Sequence, residues 1–149
     1  MNRWLIGIDD TDNLESRGTG HLARQLARSL ESAVTGLNVA AVTRHQLLVD
    51  PRIAYTSHNS SACMVAVFHP MQLADVVAHA AGFLLAESAA GSDAGLCVAE
   101  ASAVSPAVVA FGQKAKREVL ALADATGLAA SEKIHLEGLT GTLGGQIGA

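Results

Sequence analysis

Three carboxylates, Asp9, Asp10 and Asp12, stand within four residues directly after the apolar run of residues 4–8. Acids packed this closely repel one another unless water or a cation neutralises them. An oxygen-only donor set suits magnesium, which keeps several waters and shares its other positions with substrate phosphates. Side chains alternate along a strand, so Asp10 and Asp12 share a face and Asp9 points away. A solvated acidic turn with aspartate as a local cap fits the same residues. Arg17, Gly18, Thr19 and Gly20 come next, just where a helical pattern begins, so free amides of a helix N-terminus would lie beside the acids. Gly18 and Gly20 permit close approach of backbone to an anion, and the Thr19 hydroxyl could contact a metal or phosphate, or accept a phosphoryl group. Thr19 as an ordinary helix N-cap is the structural alternative. His21 sits one turn into the helix, beside this candidate anion site.

A second polar group is the loop Tyr55, Thr56, Ser57, His58, Asn59, Ser60, Ser61. His58 could act as acid or base if it faces a cleft, with Ser57 and Asn59 as hydrogen-bonding groups for a ligand; a solvated hairpin loop has the same composition. His21, His45, His69, His79 and His135 show no ligand spacing, which argues against zinc. No Gly-Lys-Ser/Thr stands in the chain's first glycine-bearing turn, so a Walker-type phosphate loop is excluded there. The last segment, residues 138–149, carries five glycines. It reads either as a frayed terminus or, through Gly141 and Gly144, as backbone that wraps phosphate.

These residues need elements to position them. Residues 4–8 read as a buried strand ending at the acids. Leu22, Leu26 and Leu30, widened by Ala23, Ala27 and Val34, form one face of a helix that stops near Gly36. Residues 39–48 and 62–68 read as two strands around the polar loop. Pro70 opens a second helix carrying Leu73, Val76, Val77, Ala80 and Leu84, and residues 95–99 make a fourth strand. Strand, helix, strand, strand, helix, strand is the split unit of a ferredoxin-like α+β sandwich, an antiparallel sheet with both helices on one face. Ser105 and Pro106 start a further helix with Val108, Phe111, Ala115, Val119 and Leu122 on one face, ending near Gly127, and a short strand is expected at residues 133–136.

With 149 residues, half of them apolar, the chain can close one core, so residues 1–149 are expected to form a single domain. Fourteen acids against ten Lys and Arg give a net charge of −4, and aromatic residues are 3%. Both facts disfavour a stand-alone nucleic-acid binder, which needs a basic surface and stacking platforms. A mean hydropathy of +0.30 points to apolar surface buried between subunits, hence a homo-oligomer. The opening residues are neither a signal peptide nor a membrane span, and the apolar stretch 74–90 is interrupted by Asp75, His79 and Glu87, so a cytoplasmic protein without membrane association is expected. Cys63 and Cys97 lie in apolar runs and read as buried free thiols.

Taken together, four segments resemble a known family. The run Ile6, Gly7, Ile8, Asp9, Asp10, Thr11, Asp12 is similar to the N-terminal signature of archaeal agmatidine synthetases, which modify the wobble cytidine of an isoleucine tRNA using ATP and agmatine. Gly18, Thr19, Gly20, His21, Leu22 and Ala23 fall on that family's Cys-Thr-Thr-Tyr-Leu-Ala segment, which puts Thr19 at its phosphate-handling threonine. Asp50, Pro51, Ile53, Tyr55, Ser57 and Ala62 follow its Asn-Pro, Tyr-Lys-Thr-Arg-Gly-Asn-Gly-Ala loop, and Gly141, Leu143 and Gly144 its glycine-rich segment. The resemblance spans nearly all of the chain and implies a stand-alone relative of, or a piece cut from, the family's kinase-like domain. It departs at Thr56 and His58, which replace a lysine and an arginine able to stabilise charge on a transferring phosphoryl group. The family's ferredoxin-like, OB-fold and zinc-ribbon parts have no counterpart here. The resemblance thus implies that tRNA is not held by this chain alone, and that a separate protein would supply the missing parts.

The expectation is a magnesium-dependent, ATP-binding domain with phosphoryl transfer or ATP hydrolysis as its candidate reaction. In it Asp9, Asp10 and Asp12 hold the metal. Gly18, Thr19, Gly20, His21, Ser57, Asn59, Gly141 and Gly144 surround the nucleotide, and Asp10, Thr19 and His58 do the chemistry. Two alternatives compete with it. One is a phosphatase of the haloacid-dehalogenase type, which Asp10, Thr11, Asp12 after an apolar strand would suit but which needs a doubly wound sheet. The other is a non-catalytic oligomeric partner module.

Overall fold

A computed structural model of the protein describes residues 1–9, 11, 17–53, 60–141 and 144–149. Strand β1 (Asn2–Asp9) leads into helix α1 (Thr19–Ala33), followed by β2 (Asn38–Gln46) and β3 (Ser60–Phe68). A single 3-10 turn, Pro70–Gln72, opens helix α2 (Leu73–Glu87), which returns to β4 (Gly95–Glu100). Helices α3 (Pro106–Ala115) and α4 (Leu122–Glu132) and strand β5 (His135–Gly138) complete the chain's main elements. The strands form one sheet in the order β2-β3-β1-β4-β5, every neighbour antiparallel. This is the α+β sandwich expected from element order, with β5 added outside β4. The antiparallel pairing lacks the parallel doubly wound sheet that the phosphatase alternative requires.

β1 lies at the centre because both of its edges are paired and both of its faces are covered. On one face, Trp4, Ile6 and Ile8 alternate inward and meet Met64, Ala66, Leu96 and Val98 across the ladders. Trp4 stacks on Phe68 with ring centroids 4.8 Å apart, and its indole N–H donates to the Phe68 carbonyl at 3.3 Å. The leucine stripe of α1 and Val76, Ala80 and Leu84 of α2 close over this face. Each fully buried leucine contributes about 1.5–3 kcal/mol of transfer free energy, so the fourfold leucine-and-alanine spacing of α1 largely sets how that helix sits. Among the described residues, no helix is long and apolar enough to cross a membrane.

The second face of β1 carries Leu5, Gly7 and Asp9. Gly7 is flanked in register by Cys63 and Cys97, both free thiols as expected. α3, α4 and the chain's last residues lie over this face and enclose with it a mostly apolar cavity of about 420 Å³, lined among others by Leu5, Cys97, Val108, Phe111 and Leu128. Burial pushes the Cys97 thiol up to about 12, with Cys63 adding to it, so neither cysteine of this wall is poised as a thiolate.

Two expectations about this half of the chain are corrected. The helix read from Ser105 to about Gly127 is two helices: α3 ends at Ala115, and the Asp124 carboxylate accepts the Ala121 N–H at 3.1 Å to start α4. Val119, an expected core position of that helix, lies in the break and is 39% exposed. Gly127 does not stop α4, which runs on to Glu132 and is capped by Lys133, whose φ of 56° is left-handed. The last strand is accordingly His135–Gly138, two residues later than expected.

The described part of the tail is docked rather than frayed. The Leu139 and Gly145 amides donate to the Ala94 and Asp93 carbonyls at 2.8 and 2.9 Å. The Thr140 hydroxyl donates to the Ser92 carbonyl and accepts from the Ala94 amide, both at 2.8 Å. Glycines meet backbone at this contact: a Cβ at Gly95 would collide with the Gly145 carbonyl, and one at Gly7 would lie 2.7 Å from the Ala149 carbonyl carbon. Close approach without side chains is what the glycine-rich composition provides.

Gly95→Ala is therefore expected to destabilise the fold by about 1–3 kcal/mol through overpacking. Gly127→Ala, whose added methyl meets nothing, is expected to stabilise it by about 0.5–1 kcal/mol through helix propensity. Chemical denaturation of the two variants reads both, and a neutral Gly95→Ala would contradict the tail contact.

Candidate functional site

The end of β1 and the start of α1 converge. Asp9, the last residue of β1, is 8% exposed. It lies on the sheet's second face, where a Cβ at Gly148 would run into its carboxylate and one at Gly145 would lie 2.9 Å from its carbonyl oxygen. Thr11 and Thr19 are 3% and 7% exposed, and the Thr11 hydroxyl donates to the Thr19 hydroxyl oxygen at 3.1 Å. The Thr11 carbonyl accepts the Ala89 amide at 2.9 Å, which ties this turn to the end of α2. Thr19 is thus the first residue of α1 and not its N-cap. Gly18 holds the cap position with extended φ and ψ and no side-chain cap bond.

His21 lies on the outer side of that first turn. The Arg17 guanidinium comes within 3.4 Å of its Nε2. Partial loss of water around the ring, and then the charges of Arg17, Arg24 and Arg28, hold its pKa below the ordinary histidine value. Gly141 has a φ of 57° and packs against the Asp93 carboxylate and the Ser92 carbonyl, while Gly144 begins the 3-10 turn Gly144–Gln146 that lies over β4.

Of the expected site residues, the structure brings Thr19 together with Thr11, and Asp9 together with Gly145 and Gly148. Gly18, Gly20 and His21 share the first turn of α1 with Thr19. Asp10 and Asp12, and Ser57, His58 and Asn59 of the polar loop, lie outside the described residues. Among the described residues no three His, Cys, Asp or Glu side chains gather at one point. Those available at this end of the sheet are hard oxygens, the Asp9 carboxylate and two threonine hydroxyls. Their chemistry fits magnesium and not a thiolate- or imidazole-seeking metal.

Two features of the site are not carried by the sequence pattern. Thr11 reads as a spacer between acids, although a threonine flanked by acids at a strand end is also a ready hydroxyl donor. Arg24 reads as part of the solvent face of the helix, although its guanidinium leans back toward the first turn, 3.9 Å from where a Gly20 Cβ would be. Farther along, Asp50 caps its own turn: the Arg52 guanidinium donates two bonds to its carboxylate at 2.9 and 2.8 Å and holds its pKa down at about 2.

An antiparallel α+β sandwich with acids at the end of the central strand and a buried threonine opening the first helix defines the structural class. Solved structures of TiaS, the agmatidine synthetase of an isoleucine tRNA, share the fold. In complex with its tRNA and ATP, TiaS matches with a TM-score of 0.82 at 20% identity over 100% of this chain and 35% of that one. Its apo form matches with a TM-score of 0.81 at 19% identity over 99% of this chain and 34% of that one. A tRNA fluorescent labeling enzyme matches with a TM-score of 0.81 at 22% identity over 99% and 34% of the two chains. The chain therefore spans about a third of the length of these structures. The family resemblance carried by the four sequence segments holds at the level of the fold. No protein-family model matches the sequence, and no curated protein matches it.

Replacing Thr11 by Val keeps its shape but leaves the buried Thr19 hydroxyl without its donor, with an expected loss of about 1–3 kcal/mol. Thr11→Ser should restore most of it; equal stability of the Val and Ser variants in denaturant unfolding would contradict the hydroxyl pair. For Asp50, NMR titration is expected to show a midpoint near 2 that rises in Arg52→Gln but stays below the ordinary carboxylate range, because the backbone N–H of residue 52 still donates to the carboxylate. Because the folded value is depressed, any stability from this pair is present above the unfolded carboxylate value and is lost as pH falls toward 2.

Proposed function

We propose that the chain is a single nucleotide-binding domain that takes ATP with magnesium at the end of β1, and that its reaction is phosphoryl transfer or ATP hydrolysis. The observation that carries this reading is the junction itself. The carboxylate strand end and the hydroxyl of Thr19 are brought to one end of the sheet, with Thr11 bonded to Thr19, in a fold shared with a protein solved in complex with ATP.

In this reading Asp9, Asp10 and Asp12 hold magnesium, which supplies positive charge to the phosphates when bound. The amides of Gly18 and Gly20 approach the phosphates without a side chain in the way, and Gly141 and Gly144 close from the tail. Thr19, whose oxygen is already oriented by Thr11, serves as phosphoryl acceptor or orients one. Asp10 takes the proton, and His58, with Ser57 and Asn59, approaches from the polar loop. About two thirds of the length of the related structures has no counterpart in this chain. The wobble cytidine is therefore not assigned here as the acceptor.

Thermal unfolding with ATP, GTP and AMP, each with and without magnesium, tests the reading. A ligand bound only by the folded state adds about 2.7 kcal/mol at a hundred times its Kd, and for a chain of this size the midpoint rises about 2–4 °C per kcal/mol. The rise is expected to need both ATP and magnesium and to disappear in Asp10→Asn while the unliganded midpoint is kept. No rise with any nucleotide at millimolar concentration would overturn the reading in favour of a non-catalytic partner module.

A further inference from the structure

The cavity on the sheet's second face is larger than ordinary packing leaves. Its floor is paved with small side chains: Cys63, Gly7 and Cys97 stand side by side across three strands, and Ala99 pairs with Leu5 one step along. Its roof is α3 and α4. Most of α3 is apolar, yet Ala115 is the one residue of that helix that is buried, and Val108 and Phe111 line the cavity half-buried. α4 contributes Ala125 and Ala129, too short to fill the gap. Protein interiors pack to crystal density, with few voids larger than a water molecule. The space left here is about 420 Å³. An apolar cavity of about 150 Å³ stays dry and takes one benzene, and small-molecule sites run from about 300 to 1,000 Å³.

The exposed polar side chains of the lining gather at one mouth. His45 lies near the end of β2, Gln113 in the last turn of α3 and Lys116 just beyond it, and all three are exposed. The Leu48 amide donates to the Ala115 carbonyl at 3.1 Å, which ties the chain after β2 to the end of α3 and brings these side chains to the same opening. Farther in, burial raises the pKa of both thiols, so the floor carries no charge. Uncharged walls with a cation at the entrance match one kind of molecule, apolar along its body and anionic at one end. The body leaves water for the cavity, while the lysine lays its stem on the rim and keeps its ammonium in water, where it meets the charge.

We propose that this cavity binds an aliphatic monocarboxylate of about ten to twelve carbons, its chain lying between the Cys63–Gly7–Cys97 floor and Val108 and Phe111, and its carboxylate at the mouth on Lys116. The site is separate from the end of β1, where ATP is proposed to bind, and neither proposal depends on the other. The two meet at the tail, since Gly148 lines the cavity and also packs against the Asp9 carboxylate.

Decanoate, titrated calorimetrically below its micelle concentration, is the probe. One molecule per chain is expected, with affinity rising about fourfold per methylene from octanoate and levelling once the chain outgrows the cavity. Lys116→Gln is expected to weaken decanoate about three- to fivefold, the size of an exposed ion pair, and to leave the neutral decanol unchanged. Lys114→Gln, on the same helix but away from the lining, keeps the wild-type affinity. Ala125→Phe, which fills the cavity from α4, abolishes binding of both ligands. No decanoate binding at millimolar concentration would overturn the site, as would wild-type affinity in a folded Ala125→Phe. Equal decanoate affinity in Lys116→Gln and wild type would overturn the carboxylate as the ligand's end. Should Ala125→Phe not fold, the wild-type chain-length series decides: several molecules per chain, or a rise that continues without a plateau through tetradecanoate, marks adsorption to apolar surface and overturns the site.

Discussion

The distance at which the tail backbone can approach the sheet governs what is built at the end of β1. Gly7 and Gly95 leave the sheet's second face without side chains along one line, and Gly145 and Gly148 meet it with none of their own. Main chain then packs on main chain, and the Asp9 carboxylate is enclosed by the tail on a face that would otherwise be open. Had any of these positions a Cβ, the tail would stand off by the width of a methyl group and Asp9 would be a solvated strand-end acid. The same approach lets the Thr140 hydroxyl bridge Ser92 and Ala94 in place of a regular ladder bond, so the turn after α2 and the tail are held as one unit.

Along the chain, charge changes sign around Thr19. In the sequence, three acids follow the apolar run of β1 and three arginines lie at the entry to α1 and along it, and the buried Thr11 and Thr19 hydroxyls pair where strand end and helix start meet. Carboxylates crowded into four residues repel one another, and clustered guanidinium groups beside a helix N-terminus carry a penalty of opposite sign. Neither cluster is needed for folding, since the core between α1, α2 and the sheet is apolar and complete without them. In the nucleotide reading proposed above, a bound divalent cation would neutralise the strand-side acids.

The parts of the fold legible in the sequence are those in which a periodic apolar pattern does the work. Leu22, Leu26 and Leu30 identify α1 and its buried face, and the alternation of β1 puts Ile6 and Ile8 on one side and Asp9 on the other. The element order yields the antiparallel sheet. The pattern misleads where a single local contact outweighs it. Val119 fits the phase of a helix that Asp124 interrupts by capping Ala121. Gly127 resembles a stop signal but sits on an open face where a glycine costs only propensity. The tail glycines carry no periodicity at all. Their role depends on the other glycines they face across the sheet, Gly7 and Gly95, which lie far from them in the chain and which no local pattern reports.

Within the site, the acids and Thr19 are legible because their types are chemically distinctive, whereas Thr11 becomes visible only through its partner. That partnership constrains the chemistry available to Thr19. A hydroxyl has one proton to donate and two lone pairs. With Thr11 donating at 3.1 Å, one lone pair of Thr19 is occupied, and among the described residues its own proton and second lone pair remain. Burial keeps water from competing for either. A threonine placed this way can offer its proton to a base and its remaining lone pair to an electrophile along fixed directions, as a phosphoryl acceptor must. As an N-cap, by contrast, its oxygen would be spent on the helix's own amides. The structure gives the capping position to Gly18 and so leaves the Thr19 hydroxyl to the site.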